Sequence, residues 1–232
     1  MNGLLQVATV INGDGNWAAG YEAEALGCGL SVATTDICTP ARVVVTGATD
    51  LDDMPSSYEV VPFGIVARVK RSTRCSSGEE QKQVDEALSA ATEMAVGKVM
   101  WEGVSGWTGG AFLESTDVAT ATEGASTKAT IAAVLDKFYS LAGWEVPILH
   151  LGLTSALNAA DLFEGNPAFT NVTVAVSPGY PTTGVAATGP ITVHLGPVQS
   201  FQSFDSTVNR TEIEANRLAA IEFDPCIAVL AA

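Results

Sequence analysis

The sequence predicts an α+β fold, in which helical and β-rich segments occupy separate stretches of the chain. Three observations support this: a long amphipathic helix in the first half, alternating helices and strands in the middle, and a β-rich end. The 232 residues include 47% hydrophobic and 16% charged side chains, enough apolar material for one large domain or two small ones. We therefore expect a folded chain rather than a disordered acidic one.

Residues 1–40 are rich in Gly, Ala and Thr and poor in large core-forming side chains. Because such a segment has little apolar surface to bury, it is poorly equipped to fold alone, and we expect an extended arm whose aromatic residues dock onto something else. β-branched runs follow in Ala41–Thr46 and Val60–Val69, on either side of an acidic loop. These runs predict a long hairpin over residues 41–76.

The clearest helix is expected to begin at Ser77. Ser77 and Glu80 have the spacing of a capping box, and apolar residues recur at helical spacing as far as Trp101. Residues 102–124 return to Gly, Thr and Ser and predict a loop, with Trp101 and Trp107 as packing anchors. The apolar stripe of the helix is expected to contain Val84, Ala87, Leu88, Ala91, Met94, Ala95 and Val99.

The middle of the chain predicts a small α/β unit over residues 126–187. Its first element is a helix over residues 126–142, with the apolar side chains on one face. The segment SPGYPTTG at 177–184 is typical of an exposed loop tip. The elements between them are expected to be a strand at 146–151, a short helix at 155–163 and a strand at 172–176.

The last part of the chain, residues 188–232, predicts β structure. Apolar and polar side chains alternate over 213–223, which indicates a long strand, and Asp224 with Pro225 interrupts it. The apolar run at 226–230 is then expected to end the chain inside a sheet. Shorter strands are expected at 188–195 and 200–204.

The charge balance restricts the functions that the chain could have. Asp and Glu number 26 against 11 Lys and Arg, for a net charge of −15. Such a chain is poorly suited to sequence-independent nucleic-acid binding, which needs clustered basic side chains. No apolar stretch approaches the roughly 20 residues of a membrane span, and the first residues lack the pattern of a signal peptide. We therefore expect no membrane association and synthesis in the cytosol.

No motif for catalysis, cofactor binding or metal binding is present in the sequence. It contains no P-loop, dinucleotide fingerprint, HExxH, GxSxG or CxxC pattern. His150 and His194 lie within apolar strands and are interpreted as packed core residues rather than ligands. No catalytic, cofactor-binding or metal-binding residue is therefore predicted.

The cysteines have no metal-binding spacing and are expected to be reduced thiols. An alternative is oxidation of Cys28 with Cys38, which could approach each other within an extended arm. The four cysteines are Cys28, Cys38, Cys75 and Cys226.

The order of these elements resembles the major capsid fold of tailed bacteriophages, the Hong Kong 97-type fold. The most specific local similarity is VNRTEIEANRLAAIEFDPCIAVL at Val208–Leu230, which is similar to the closing peripheral strands of these proteins. Residues 188–197 and 62–77 are similar to capsid proteins of actinobacterial siphophages. The resemblance implies an N-terminal arm (1–40), an E-loop hairpin with flanking strands (41–76), a peripheral domain with a spine helix (77–125), an α/β axial domain (126–187) and peripheral return strands (188–232).

The resemblance implies a structural subunit without enzymatic activity. Copies would assemble as pentamers and hexamers into an icosahedral phage head that encloses double-stranded DNA without reading its sequence. The implied partners are other copies of the chain, with a scaffold, a portal and a cement protein as further candidates. The implied location is the virion capsid, assembled in the cytoplasm of the host bacterium. The alternatives are an encapsulin-like compartment shell, a minor head protein of the same fold, or a small-molecule-binding α/β enzyme.

Shell assembly implies that the front segment of the chain gains order only through contact with sister copies. It also implies contacts between subunits through the arm and the hairpin. The candidates are apolar side chains that an isolated chain would expose, together with a basic cluster expected to meet carboxylates of a neighbouring copy. In this cluster, Arg68 and Lys70 alternate and indicate the solvent-exposed face of a strand. The candidate contact residues are Trp17, Tyr21, Val43, Val45, Phe63, Arg68, Lys70, Arg71 and Arg74.

Overall fold

The computed structural model describes residues 2–13, 15–24, 57–72, 79–105, 111–142, 145–163 and 171–232. In these ranges the helices are α1 (Leu4–Val7), α2 (Glu80–Glu102), α3 (Thr127–Ala142), α4 (Leu153–Asn158) and α5 (Ala160–Phe163). The strands are β1 (Thr9–Asn12), β2 (Tyr21–Glu24), β3 (Ser57–Val60), β4 (Phe63–Ser72), β5 (Ala119–Ala121), β6 (Ile148–Leu151), β7 (Thr173–Val176), β8 (Val185–Thr188), β9 (Thr192–Leu195), β10 (Gln199–Asp205), β11 (Arg210–Glu222) and β12 (Val229–Ala231). No helix in the described ranges is long and apolar enough to cross a bilayer.

The first sheet is organised around the long strand β11. Its strand order is β1, β9, β11, β10, and β4 pairs antiparallel with β11 along its whole length, from Phe63 opposite Ala219 to Ser72 opposite Arg210. Helix α2 packs across β4 and β11. The core between them includes Leu88, Met100, Trp101, Ile213 and Phe223. The predicted strand at 213–223 and the predicted packing of Trp101 are confirmed.

The second sheet has the strand order β5, β12, β8, β6, β7 and is covered by α3. The predicted helix over 126–142 is confirmed, because α3 buries its apolar face in a second core with Ile131, Val134, Phe138, Leu149 and Leu151. The final strand β12 pairs parallel with β5 and antiparallel with β8. The chain therefore ends inside a sheet, as expected, but in the sheet of the middle unit. The sequence analysis did not identify β5 or β8, which are three and four residues long.

Helix α2 starts later than the sequence indicates and buries a different stripe. The predicted start at Ser77 is wrong, because the helix begins at Glu80 and Glu79 occupies the N-cap position without a side-chain capping bond. Met94, expected in the stripe, is 50% exposed. A helix that packs one face on a sheet buries mainly residues four positions apart. The alanines of α2 beside this row of buried residues are therefore at least partly accessible to solvent. The buried line contains Val84, Leu88, Thr92, Val96 and Met100.

The front of the chain packs on the same chain over residues 2–13 and 15–24. Leu4 is fully buried, and the carboxylate of Glu93 on α2 accepts hydrogen bonds from the backbone N–H groups of Leu4 and Leu5, the latter at 3.1 Å. Strand β1 extends the first sheet by pairing parallel with β9. The expectation that this segment gains order only from sister copies is therefore wrong for these residues. Backbone hydrogen bonds provide the order that its low apolar content did not indicate.

The loop after β7 is buried where the sequence predicts an exposed tip. Ser177 is 1% exposed and Tyr180 is 5% exposed. Gly179 lies directly against α2, where a Cβ atom would be 2.2 Å from the carbonyl oxygen of Met94 and 2.4 Å from the amide nitrogen of Lys98. The prediction is thus wrong for Ser177 and Tyr180, whereas Pro178 and residues 181–183 are exposed as predicted.

Cys226 is disulfide-bonded, so the expectation of a reduced thiol is wrong at this position. It lies in a 3-10 turn, Pro225–Ile227, whose N-cap residue Asp224 accepts a hydrogen bond from the Cys226 amide at 2.9 Å. The other cysteines, Cys28, Cys38 and Cys75, lie outside the described residues.

Candidate functional site

The sheet formed by β4, β11 and β10 has one face against α2 and an opposite face that we call the outer face. Side chains alternate between the two faces of a strand, and residues paired across an antiparallel ladder share a face. Since Phe63 and Ile65 are buried on the α2 side, the alternate residues of β4 point outward. The strand registers then place on the outer face Val66, Arg68, Lys70, Gln199, Phe201, Ser203, Glu212, Glu214, Asn216 and Leu218.

The charges of the outer face are paired within the chain. Arg68 Nε lies 2.9 Å from Glu212 Oε1 and also donates to Glu214, while Lys70 Nζ lies 3.2 Å from Glu212 Oε2. Hydrogen bonds from Arg68 and then Asn216 lower the pKa of the Glu214 carboxyl group, and the same pairing raises the pKa of Arg68. Carboxylates of the neighbouring strand β11 therefore already pair with Arg68 and Lys70, and a contact of these two residues with another copy stays a prediction. The predicted exposed strand face is confirmed.

Large apolar side chains lie exposed beside these paired charges. Val66 is 53% exposed, Phe201 is 54% exposed and Leu218 is 43% exposed. Exposed apolar groups within a polar surface of satisfied charges are typical of a protein contact surface. The sequence analysis did not identify Phe201 or Leu218 as contacts. The available signal was QSFQSF at 199–204, where Phe occurs on both faces of a strand otherwise made of Gln and Ser.

Two of the predicted apolar contacts are buried in their own chain. Trp17 is 7% exposed, packs with Val60 and Ala220, and lies with its ring centre 5.7 Å from that of His194. Phe63 is 8% exposed in the first core. The expectation that the isolated chain exposes these two side chains is wrong, because the first sheet already covers them.

The other predicted contact residues have different positions. Tyr21 belongs to β2, where it pairs with Val60 of β3. Arg71 lies on the α2 side of β4, with Nη1 3.8 Å from the buried Glu80 carboxylate and Nη2 donating to Gln83 at 3.1 Å. Its partner is therefore in the same chain as well. Val43, Val45 and Arg74 lie outside the described residues.

His150 is a packed core residue, as the sequence predicts. It is fully buried, with Nδ1 2.9 Å from the Tyr180 hydroxyl and Nε2 2.9 Å from the Thr188 hydroxyl. Thr188 donates to the Gly189 carbonyl, so its hydroxyl accepts from Nε2–H, which leaves Nδ1 to accept from Tyr180. Burial lowers the pKa of His150 to about 3, and the imidazole is neutral.

The described residues contain no cluster of three or more His, Cys, Asp or Glu side chains placed to hold a metal ion. A second exposed apolar surface lies on α4, where Leu153 is 59% exposed and Leu157 is 69% exposed. These residues are one helical turn apart on the same face of α4. The geometry of the described residues thus provides two candidate contact surfaces, the outer face and this face of α4.

Comparison with solved structures finds a capsid, a virus-like particle and a phage structure that match the chain over almost its whole length. The capsid of an empty GTA particle matches 99% of this chain and 90% of its own, with a TM-score of 0.63 and 15% identity. The virus-like particle from Pyrococcus furiosus matches 100% of this chain and 92% of its own, with a TM-score of 0.63 and 10% identity. A structure from Mycobacterium phage Adephagia matches 100% and 90%, with a TM-score of 0.62 and 10% identity. No family model matches the sequence, and no curated protein matches it.

Proposed function

We propose that this chain, which has the Hong Kong 97-type fold, is a structural subunit that self-assembles into a closed capsid shell. The observation that carries the proposal is the extent of the structural likeness, which includes 99% or more of this chain for a GTA capsid, a virus-like particle and a phage structure. We propose a structural role without enzymatic activity. It agrees with the state of His150, whose buried imidazole is neutral and has both ring nitrogens hydrogen-bonded to Tyr180 and Thr188.

The finer proposal is a major capsid subunit of a phage head. In it, pentamers and hexamers form an icosahedral shell around double-stranded DNA, assembled in the cytoplasm of the host bacterium. The net charge of −15 supports this role, because a wall of the same sign as DNA does not bind the packaged genome. A scaffold, a portal and a cement protein are the proposed additional partners.

The proposed contacts between subunits are the exposed apolar residues of the outer face, including Phe201 on the edge strand β10. Their burial against a neighbour would stabilise the assembled state without altering the core of the subunit. The arm and hairpin residues Tyr21, Val43, Val45 and Arg74 remain proposed contacts. Arg68, Lys70 and Arg71 also remain proposed contacts, through the part of each side chain that its ion pair within the chain leaves exposed.

Sedimentation and negative-stain microscopy of the purified chain test the proposal. Closed particles of many copies are expected, and they should dissociate to subunits on dilution. A chain that remains monomeric to tetrameric at all concentrations and ionic strengths would contradict it.

A compartment shell that holds protein is the second candidate, because one of the similar structures is a virus-like particle. Particles isolated from the native source distinguish the two candidates. Nuclease-protected double-stranded DNA inside them would support the phage head, and a single co-purifying protein cargo without DNA would support the compartment.

A further inference from the structure

A pocket of about 150 Å³ opens in the first sheet where β11 changes partners. Strand β10 begins at Gln199, opposite Asn216, and β9 ends at Leu195, opposite Ala219. Residues 217–218 of β11 lie between these two ladders, where Gly196 donates a backbone hydrogen bond to the Leu218 carbonyl oxygen at 2.9 Å. The pocket lies in this gap and is lined by Trp17, Gln199, Asn216 and Arg217.

The guanidinium of Arg217 is only partly used by its own chain. Nε and Nη2 both donate to the same acceptor, the carbonyl oxygen of Gly196, at 3.2 Å and 2.9 Å. An arginine has five N–H donors, so three remain for another group. None of the ion pairs among the described residues includes Arg217.

The surroundings of Arg217 differ from those of Arg68 on the same sheet. Two carboxylates raise the pKa of Arg68, whereas partial burial without a carboxylate lowers the pKa of Arg217. Removing a cation from water has a cost that an anion close to it can offset. The pocket therefore has the chemistry of a carboxylate site, with a forked donor in Arg217 and the side-chain amide of Gln199 beside it. The amide of Asn216 also lines the pocket and already donates one hydrogen bond to Glu214 at 3.2 Å.

We propose that this pocket binds an acidic side chain of a neighbouring copy of the chain in the assembled shell. The inference rests on the proposed shell function. Charge complementarity favours this occupant, because each copy has 26 acidic residues and only 11 basic ones. A DNA phosphate is a poorer occupant, since nucleic-acid backbones are bound by clusters of basic residues and Arg217 is the pocket's single base.

The first experiment compares Arg217→Gln with Arg210→Gln. Both changes remove one positive charge from β11, but Arg210 is exposed near the hairpin turn and does not line the pocket. The threshold concentration for shell assembly is measured by light scattering at low and high salt. Arg217→Gln should raise the threshold at low salt roughly tenfold and weaken its salt dependence, while Arg210→Gln should shift it less than about twofold.

The near-ultraviolet circular dichroism and the thermal midpoint of the unassembled variants establish that each has folded. If Arg217→Gln does not fold, Arg217→Lys is used instead, because it keeps the charge and loses the forked donor. The threshold concentration for assembly of Arg217→Lys should be higher than that of the wild type, but by less than the roughly tenfold rise expected when the contact is lost, because lysine keeps the positive charge. Unchanged assembly of the folded Arg217 variant would overturn the inference.

A high-resolution map of the wild-type shell gives the direct test. A carboxylate oxygen of a neighbouring copy is expected within about 3.2 Å of an Arg217 nitrogen. A pocket that holds only water, a phosphate or a side chain without a carboxylate would overturn the inference and leave the proposed function intact. A wild-type chain that forms no shell would overturn both.

Discussion

The contact between α2 and the Ser177–Tyr180 loop contrasts with the outer face of the first sheet. At the contact, backbone meets backbone: Gly179 lies on α2 with no room for a Cβ atom, and a Cβ at Gly97 would be 2.2 Å from the Ser177 Oγ atom. On the outer face, Phe201 is more than half exposed, and Glu214 is held by hydrogen bonds at the surface. The first region is thus packed within the subunit, and the second is accessible to other chains.

This difference predicts opposite responses to substitution in the two regions. Changes at the α2 contact should lower the free energy of unfolding of the isolated subunit. Changes on the outer face should leave that free energy almost unchanged and alter assembly instead. The predictions below run from the largest expected effect on unfolding to the smallest.

Gly179→Ala should lower the free energy of unfolding by about 3 kcal/mol or more, because the new Cβ would overlap backbone atoms of Met94 and Lys98 that cannot rotate away. Urea denaturation of the unassembled chain near neutral pH measures the effect. Gly64→Ala is the matched control, since no atom lies within 4 Å of the position of its Cβ. Equal denaturation midpoints for the two variants would show that α2 and the loop are not in close contact.

Acid should destabilise the subunit through His150. Because burial lowers its pKa from 6.5 to about 3, only the unfolded chain takes up this proton between these values. The contribution of neutral His150 to the free energy of unfolding is complete above about pH 6.5. Below that pH it falls by about 1.4 kcal/mol per pH unit, which amounts to about 2 kcal/mol by pH 5. Urea denaturation at about pH 8 and pH 5 measures the loss.

His150→Gln, which does not titrate, is the comparison for this pH dependence. It should be less stable than the wild type at pH 8, because the hydrogen bonds of His150 are altered. Its free energy of unfolding should nevertheless fall by about 2 kcal/mol less than that of the wild type between the two pH values. The same fall in both proteins would place the acid sensitivity in other groups.

Glu93→Gln should lower the free energy of unfolding by about 1 to 2 kcal/mol, because the Leu4 and Leu5 amides lose a charged acceptor. Hydrogen exchange of these two amides should accelerate more than that of the core of α2. Glu86→Gln is the control on the same helix, where Glu86 makes only an exposed contact with Lys82. If the Leu4 and Leu5 amides exchange at wild-type rates in Glu93→Gln, the carboxylate does not hold the front segment.

Phe201→Ser should have the smallest effect on the isolated subunit, with a thermal midpoint close to that of the wild type, because the ring is 54% exposed. Its threshold concentration for assembly should rise roughly tenfold, since the ring would otherwise be buried against a neighbour. Ser203→Ala, on the same face of β10, should alter neither quantity. If Phe201→Ser destabilised the subunit and left the assembly threshold unchanged, Phe201 would contribute to folding of the subunit and not to contacts between copies.

Part of the candidate site could be predicted from the sequence. The alternation of Arg68 and Lys70 identified an exposed strand face, because a period of two is a local property of a strand. Their partners Glu212 and Glu214 were not predicted, since the register between β4 and β11 joins residues 146 positions apart. Phe201 was assigned to a strand, but its exposure depends on β10 lying at the edge of the sheet.

By itself, the sequence determined the fold class, the helices α2 and α3 and the long strand β11, because each has a sustained pattern that selects one backbone geometry. The tertiary structure decided the burial of Tyr180, the attachment of the front segment to Glu93 and the pairing of β12 with β5. These features depend on contacts between residues distant in the chain, where a few hydrogen bonds and close backbone approaches outweigh local composition. Composition alone therefore predicted an arm and a surface loop at two places where the folded chain provides partners.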